Sequence, residues 1–408
     1  MVTKNPDINK IMDYINGLSK HRDLTKEGVT RLLFDEYWIS AQNWLEDQFK
    51  IAGLCTYYDD VGNLYGRFEG DSKNTIMTGS HVDTVISGGK YDGQYGIVAG
   101  LVAIEYLKSN FGKPKKSIEV VSMAEEEGSR FPFTFWGSKN IIGKVPEEEV
   151  GLLIDEKGVT FKEALKSAGF SFKNNIDTKT IDGFIELHIE QGGVLEIENK
   201  TIGIVEHIVG QKRYLVTLKG EANHAGTTPM KYRKDSIHCA SRMVCMIMER
   251  ARTFGEPIVA TVGKLEIDPN TSNVVPGRVT FTLDIRHIDK NLMGRYIEEI
   301  MNEMKDMARE MKLDLKVEKY MNGDPVPMSS HLVRTIKGIC EEKGIDFKMM
   351  HSGAGHDAQI MALKVPTALI FVPSHKGISH NPEEYTRIED LGEGVKTLIE
   401  TLYKLAYE

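Results

Sequence analysis

No run of apolar residues in this chain is long enough to cross a bilayer. The first residues, Met1-Val2-Thr3-Lys4-Asn5-Pro6-Asp7, lack the charged start and apolar core of a signal peptide. There is no basic block either: 59 Asp and Glu stand against 51 Lys and Arg, a formal net charge of −8. Nucleic acid and membrane surfaces are therefore not expected as partners. The four cysteines (Cys55, Cys239, Cys245 and Cys340) show no Cys-x-x-Cys spacing. That argues against a zinc or redox motif and leaves buried free thiols in a reducing cytoplasm as the expectation. Internal repeats and low-complexity segments are absent as well.

What remains is an ordinary globular composition, 41% apolar and 27% charged, in 408 residues. A chain of that length exceeds the size at which one core stops growing, so two domains are expected. Residues 7–52 read as helices, and the texture turns strand-like from Tyr57. Thr75–Thr78 and Ser117–Met123 are apolar strands, separated by a helix whose Ile97, Val98, Leu101, Val102, Ile104 and Leu107 predict burial on most sides. The segment from Lys144 to Thr180 carries no clear pattern. Gly183–Gln191 returns as a strand, and Thr367–Val372 with a final helix from Glu389 to about Ala406 completes an α/β arrangement. Between these parts the texture changes. Strand Arg213–Leu218, helix Ser236–Phe254, strands Ile258–Ile267 and Arg278–Arg286, helix Asp289–Met311 and strand Leu313–Tyr320 give the order βαββαβ of a small ferredoxin-like domain. The expected division is a discontinuous α/β domain of residues 1–210 and 323–408, with residues 211–322 inserted as a lid.

The chemistry collects where strands stop. Gly79-Ser80-His81-Val82-Asp83 follows the first strand, Tyr91-Asp92-Gly93 precedes the buried helix, and Glu125-Glu126-Glu127 hangs from the second strand. His188 stands in Glu186-Leu187-His188, and His380 in Gly377-Ile378-Ser379-His380-Asn381-Pro382. Each has an ordinary explanation taken singly: a structural His-x-Asp, a helix cap, a solvated acidic face, a satisfied core histidine, a loop residue. Together, at the strand ends of one α/β domain, they argue for a metal centre. Three adjacent carboxylates in apolar surroundings are not normally buried without cations. Asp92 can bridge two ions, with His81 and His188 completing one and Glu127 and His380 the other. Asp83, two residues from His81 on an extended segment, can orient a ligand. Paired ions activate a shared water, and the non-ligating Glu126 can take its proton and pass it to a leaving nitrogen.

These motifs resemble the M20 family of dinuclear metal hydrolases, in its amidase/carbamoylase branch. The resemblance spans nearly the whole chain and includes Gly79–Val85, Met123–Pro132, Glu186–Gly192, Asn223–Met230, Asn273–Gly277, Ser352–Ala358 and Gly377–Pro382. It implies a mixed sheet flanked by helices, as in zinc exopeptidases, with an inserted lid and dimerisation domain. It matches His81, Asp92, Glu127, His188 and His380 to the ligands of two divalent ions (zinc or manganese, or cobalt), Glu126 to the general base and Asp83 to its supporting carboxylate. His188 is the amidase-type residue where peptidase-like relatives tend to carry a carboxylate. His224 and Asn273 match lid residues that stabilise a developing oxyanion and contact substrate, often across a homodimer. Arg286 is expected to grip a substrate carboxylate, with Arg213, Gln191 and the backbone at Gly355 as further contacts. The implied reaction is hydrolysis of a ureido C–N bond. Allantoate is the expected substrate on the strength of Arg213; N-carbamoyl-L-amino acids come second and peptides third. A metal-dependent binding or scaffold protein would predict a broken site, and none of these positions is broken.

Overall fold

The computed structural model describes residues 7–172 and 177–408, so residues 173–176 of the patternless segment and most of the N-terminal heptapeptide lie outside it. The chain divides into two compact units, one ending at Glu206 and resuming at Pro327, the other His207–Val326, which is a few residues wider at each end than expected. Among the described residues no helix is long and apolar enough to cross a membrane.

The first unit is built on a nine-stranded mixed sheet. Its spatial order is Cys55–Tyr58, Leu64–Phe68, Lys116–Met123, Ser72–His81, Ile181–Ile189, Thr367–Val372, Ile202–Ile208 and Val326–Pro327, with Phe347–Ser352 also paired to Ile202–Ile208. The four central strands, from Lys116–Met123 to Thr367–Val372, are mutually parallel, and antiparallel pairs flank them. Parallel strands covered on both faces should read as continuous apolar runs, and Thr367–Val372 is buried at every position. Helix Gln94–Phe111 makes the crossover between Ser72–His81 and Lys116–Met123, and it is buried from Gln94 to Ile104 without a break. The four parallel strands point the same way, so their carboxyl ends share one edge of the sheet. Ligands bind at that edge in open α/β sheets.

The second unit is an antiparallel sheet ordered Leu265–Asp268, Arg278–His287, Gly210–Lys219, Asp314–Gly323, with Val259–Thr261 also paired to Arg278–His287. Arg278–His287 alternates strictly between buried and partly exposed positions, so Val279, Phe281, Leu283 and Ile285 all face one side. Helices Ser236–Phe254 and Lys290–Glu310 contribute Met243, Ile247, Tyr296 and Ile300 to the same core. Each helix is N-capped by an aspartate, Asp235 or Asp289, whose carboxylate accepts backbone N–H groups of the first turn.

Two expectations need correction. Ile258–Ile267 is not one strand. Thr261 pairs with Asp284 and Leu265 with Phe281, so four steps on one side meet three on the other, a one-residue bulge around Gly263. The cysteines are free, but only Cys239 and Cys340 are buried; Cys55 and Cys245 are exposed. Cys55 opens an edge strand, and Cys245 faces outward from a helix packed on one side only.

Candidate active site and metal centre

His81 is the last residue of its strand, and Glu125-Glu126-Glu127 follows Met123 on the neighbouring strand, where His81 and Met123 are paired in register. His188 lies one residue before the end of the next strand, opposite Phe371. His380 follows the fourth strand, on a loop where its backbone takes a positive φ of 55°. Asp92 sits at the mouth of the crossover helix. The adjoining Gly93 has a φ of 67°, and a Cβ there would come within 2.5 Å of the His81 ring. Glycine at that point lets the Asp92 turn close over His81.

All five proposed ligands meet. Asp92 Oδ1 is 3.4 Å from His81 Nε2 and 3.2 Å from His188 Nε2. Asp92 Oδ2 is 3.4 Å from His380 Nε2, which is 3.5 Å from Glu127 Oε1. Two groups of potential ligand atoms therefore share Asp92: His81, Asp92 and His188 on one side, and Asp92, Glu127 and His380 on the other. A further group, Glu186, His188 and His356, adjoins the first.

The hydrogen bonds test whether cations suit this arrangement. His188 Nδ1 is 2.8 Å from the Ile189 carbonyl, and His81 Nδ1 is 3.0 Å from the Asp83 carbonyl. A carbonyl only accepts, so both Nδ1 atoms carry the proton in the neutral rings. Both Nε2 lone pairs then face Asp92 Oδ1, a buried oxygen without a hydrogen-bond donor. The Gly93 N–H, 3.2 Å from His188 Nε2, agrees with that tautomer. Ring nitrogens and a carboxylate oxygen that converge on one buried point need positive charge among them, a proton or a metal ion. The donor set fits a divalent metal.

Electrostatics point the same way. Burial raises the Glu126 carboxyl well above the carboxylate range, and Glu127 beside it adds to the shift. Burial and then Asp92 raise Glu127 to about 7. Burial and then Glu186 raise Asp357 to about 8. Against the effect of burial, the neighbouring carboxylates raise His81, His188 and His380, so this much buried acid calls for positive charge, from protonated imidazoles or from bound cations.

Asp83 ties the pieces together. Its Oδ1 accepts the Glu126 N–H at 3.0 Å and its Oδ2 the Glu127 N–H at 3.1 Å, while Oδ1 also lies 3.3 Å from His81 Nδ1. One carboxylate thus fixes both a histidine and the backbone of the glutamate triplet. Gln191 stands beside the candidate ligands. It has a positive φ of 58°, and its side-chain amide donates to Asp92 Oδ2 at 2.7 Å. Gly355 precedes His356, whose ring packs edge-on against His188 at 4.7 Å, and a Cβ at Gly355 would lie 2.9 Å from the Phe135 ring.

The other four candidates belong to the second unit. Arg213 Nε and Arg286 Nη2 both donate to Asp284 Oδ2, at 2.9 and 3.0 Å, and Gln211 adds a third bond at 2.7 Å. Although burial would raise it, these partners, Arg286 foremost, hold the Asp284 carboxyl below its usual range. Arg286 and Arg213 are thus arrayed around one carboxylate. His224 and Asn273 are exposed and joined by the pairing of Asn223–His224 with Val274–Val275 and by the Ala225 N–H on the Asn273 carbonyl. His224 Nδ1 accepts from the N–H groups of Gly226 and Thr227 at 3.1 and 3.2 Å. Its Nε2 therefore carries the proton and presents a donor.

Sequence reasoning passed over several buried groups around this centre. Glu186 accepts from Ser80 Oγ at 2.7 Å and from the Ala358 N–H at 2.8 Å, and Asp357 accepts from Ser138 Oγ at 2.6 Å. Glu384 and Ser379 lie against Asp92. All except Ser138 fall in or beside motifs already singled out, and that adjacency was the available signal.

A family model described as "Peptidase family M20/M25/M40" matches residues 77–404. An allantoate amidohydrolase of Escherichia coli (strain K12) is 49% identical over 93% of this chain and 94% of its own. One of Bacillus subtilis (strain 168) is 43% identical over 98% of each. An N-carbamoyl-L-amino-acid amidohydrolase of Pseudomonas sp. (strain NS671) is 37% identical over 96% of each. Among solved structures, a hydantoinase/carbamoylase family amidase from Burkholderia multivorans superposes with a TM-score of 0.93 at 32% identity, over 99% of both chains. The chain belongs to the M20 family of metal-dependent hydrolases, within its amidohydrolase branch, whose members act on C–N bonds.

Proposed function

We propose that this protein hydrolyses a ureido C–N bond with two divalent cations, and that its substrate is allantoate. The observation that carries the reading is the convergence of His81 Nε2 and His188 Nε2 on the buried Asp92 Oδ1, at 3.4 and 3.2 Å, with Asp92 Oδ2, Glu127 and His380 meeting on its other side. His81, Asp92 and His188 would hold one ion, and Asp92, Glu127 and His380 the other. When bound, such ions polarise a carbonyl and make water acidic enough to attack at neutral pH.

The chain's own groups do the rest. Glu126 takes a proton from the attacking water and returns it to the departing nitrogen as the C–N bond breaks. Asp83 holds the Glu126 backbone and the His81 ring, so base and ligand keep one geometry. His224, with its Nε2–H donor, stabilises the developing oxyanion, and Asn273 contacts the substrate. Arg286 and Arg213 bind the carboxylate and the second ureido arm, and Gln191 and the Gly355 backbone complete the pocket. In this reading the enzyme is a cytoplasmic homodimer in which lid residues serve the partner's site. For allantoate, water addition releases ureidoglycine, ammonia and carbon dioxide. The allantoate amidohydrolases at 49% and 43% identity support that substrate, and the carbamoylase at 37% supports N-carbamoyl-L-amino acids as the second reading.

Metal-depleted protein reloaded with zinc or manganese and assayed on a panel of ureido acids separates the two. We expect kcat/KM for allantoate to exceed that for any N-carbamoyl amino acid by at least about tenfold, or roughly 1.4 kcal/mol of discrimination. The reverse order would transfer the assignment to carbamoylase. Inactivity on the whole panel would sink the reading.

A further inference from the structure

Glu384 comes from the far end of the chain and closes on the turn that carries Asp92. Its side chain is buried, and its Oε1 accepts the N–H of Tyr91 at 2.9 Å and of Asp92 at 3.1 Å. Its other oxygen accepts from Ser379 Oγ at 2.9 Å, and the same hydroxyl lies 2.8 Å from Asp92 Oδ2. Glu384 therefore holds the backbone of Asp92 directly, and the Ser379 hydroxyl stands between the two carboxylates, its one proton donated to Glu384 Oε2 or to Asp92 Oδ2, the oxygen on the His380 side. Ser379 immediately precedes His380, and Glu384 follows it by four residues. The loop itself is pinned by the Glu384 N–H on the Asn381 carbonyl and the His375 N–H on the Tyr385 carbonyl.

The opposite wall is shaped for this carboxylate. A Cβ on Gly89 would stand 2.0 Å from Glu384 Oε1 and 2.2 Å from its Cδ. Gly89 thus leaves the space that Glu384 fills, which accounts for a glycine that the ligand set itself does not require.

We infer that Glu384, acting through Ser379, is a positioning residue that locks the Asp92 turn to the His380 loop and so sets the affinity of the Asp92–Glu127–His380 ion site. The other site, His81–Asp92–His188, uses Asp92 Oδ1 and two histidines anchored on their own strands. It shares the Asp92 backbone with the lock, so it should weaken too, but less, since Ser379 meets only the Oδ2 side. The inference rests on the two-cation reading above.

The test is titration of metal-depleted full-length protein with Mn2+, followed by calorimetry and by electron paramagnetic resonance, which distinguishes a spin-coupled pair from a single ion. Wild-type protein should take up two ions and give the coupled signal. Glu384→Ala should bind the first ion within about threefold of wild type and the second 10- to 100-fold more weakly, the usual penalty for removing a group that orients a ligand. Its coupled signal should be replaced by that of a single ion. Glu384→Gln should restore the second ion, because its amide oxygen still accepts both N–H groups while its NH2 donates to Ser379. Should Glu384→Ala fail to fold, Ser379→Ala carries the test, with a smaller weakening of the second ion alone. Equal weakening of both ions, no weakening, or a Glu384→Gln as impaired as Glu384→Ala overturns the inference. Wild-type protein binding fewer than two ions overturns the two-cation reading, and the inference falls with it.

Discussion

Replacing Glu126 by glutamine lowers turnover of the ureido substrate by about 10³-fold while both ions remain bound. The magnitude is that of a removed general base, which contributes about 10²–10⁴. Glutamine keeps the shape of the side chain and loses the ability to accept a proton. The neighbouring Glu127 is untouched, and the Asp83 carboxylate still accepts the N–H groups of residues 126 and 127, since those bonds use no side-chain atom of either residue. The fall should appear in kcat, because the proton transfer belongs to the transition state and not to substrate binding. Metal analysis, a thermal melt and steady-state kinetics on one preparation decide the matter. A variant keeping more than about a tenth of wild-type kcat would remove Glu126 from the role of base. A variant that has lost its ions would make it a ligand instead.

Stripping the ions with a chelator should abolish activity and give the protein a pH-dependent stability it does not have when loaded. Without cations, burial pushes Glu126 well up, Glu127 to about 7 and Asp357 to about 8. In the unfolded chain the same carboxyls titrate near 4. Folded protein therefore holds protons that unfolded protein has released, and stability falls as pH rises across that interval. The contribution is complete below about pH 4 and is lost as pH climbs through 7 and 8. For Glu127 alone the shift corresponds to roughly 3 kcal/mol. Bound ions take the place of those protons. They also stabilise by mass action, about 2.7 kcal/mol per site at a hundredfold excess over Kd. The expected result is a melting temperature that drops between pH 5 and 8 in the stripped protein and stays nearly level in the loaded one, with the loaded protein several degrees higher at pH 8. Parallel curves for the two forms would show that the acidic cluster does not depend on metal.

The candidate ligands were legible as a cluster because a site on an α/β sheet draws on strand ends, and a strand end is marked in sequence by the change from an apolar run to polar residues. His81 after Thr75–Thr78 and Glu125–Glu127 after Ser117–Met123 are marked in this way. Glu384 carries no such mark. Its partners are the backbone N–H groups of Tyr91 and Asp92, nearly three hundred residues earlier, and a backbone donor has no identity in a sequence. Gln191 was legible in part: an amide beside such a loop reads as a substrate contact, and its bond to Asp92 shows only in the fold. The bulge near Gly263 left one glycine as its trace in an otherwise continuous β-prone run. Cys245 offered more. It lies six residues after the buried Cys239, roughly 240° around the helix, so the two could not both face the same core.

The order of the strands constrains how the protein is made. Thr367–Val372 lies between Ile181–Ile189 and Ile202–Ile208, so two neighbours synthesised within thirty residues of each other wait for a third made far later. A chain paused on the ribosome after residue 326 has all of the second unit but a first unit with an open seam through its sheet, and no His380. The sheet of the large unit is closed only when Thr367–Val372 arrives. A truncation after Pro327 should therefore leave the sheet of the first unit without Thr367–Val372 and the candidate site without His380, and the fragment without activity.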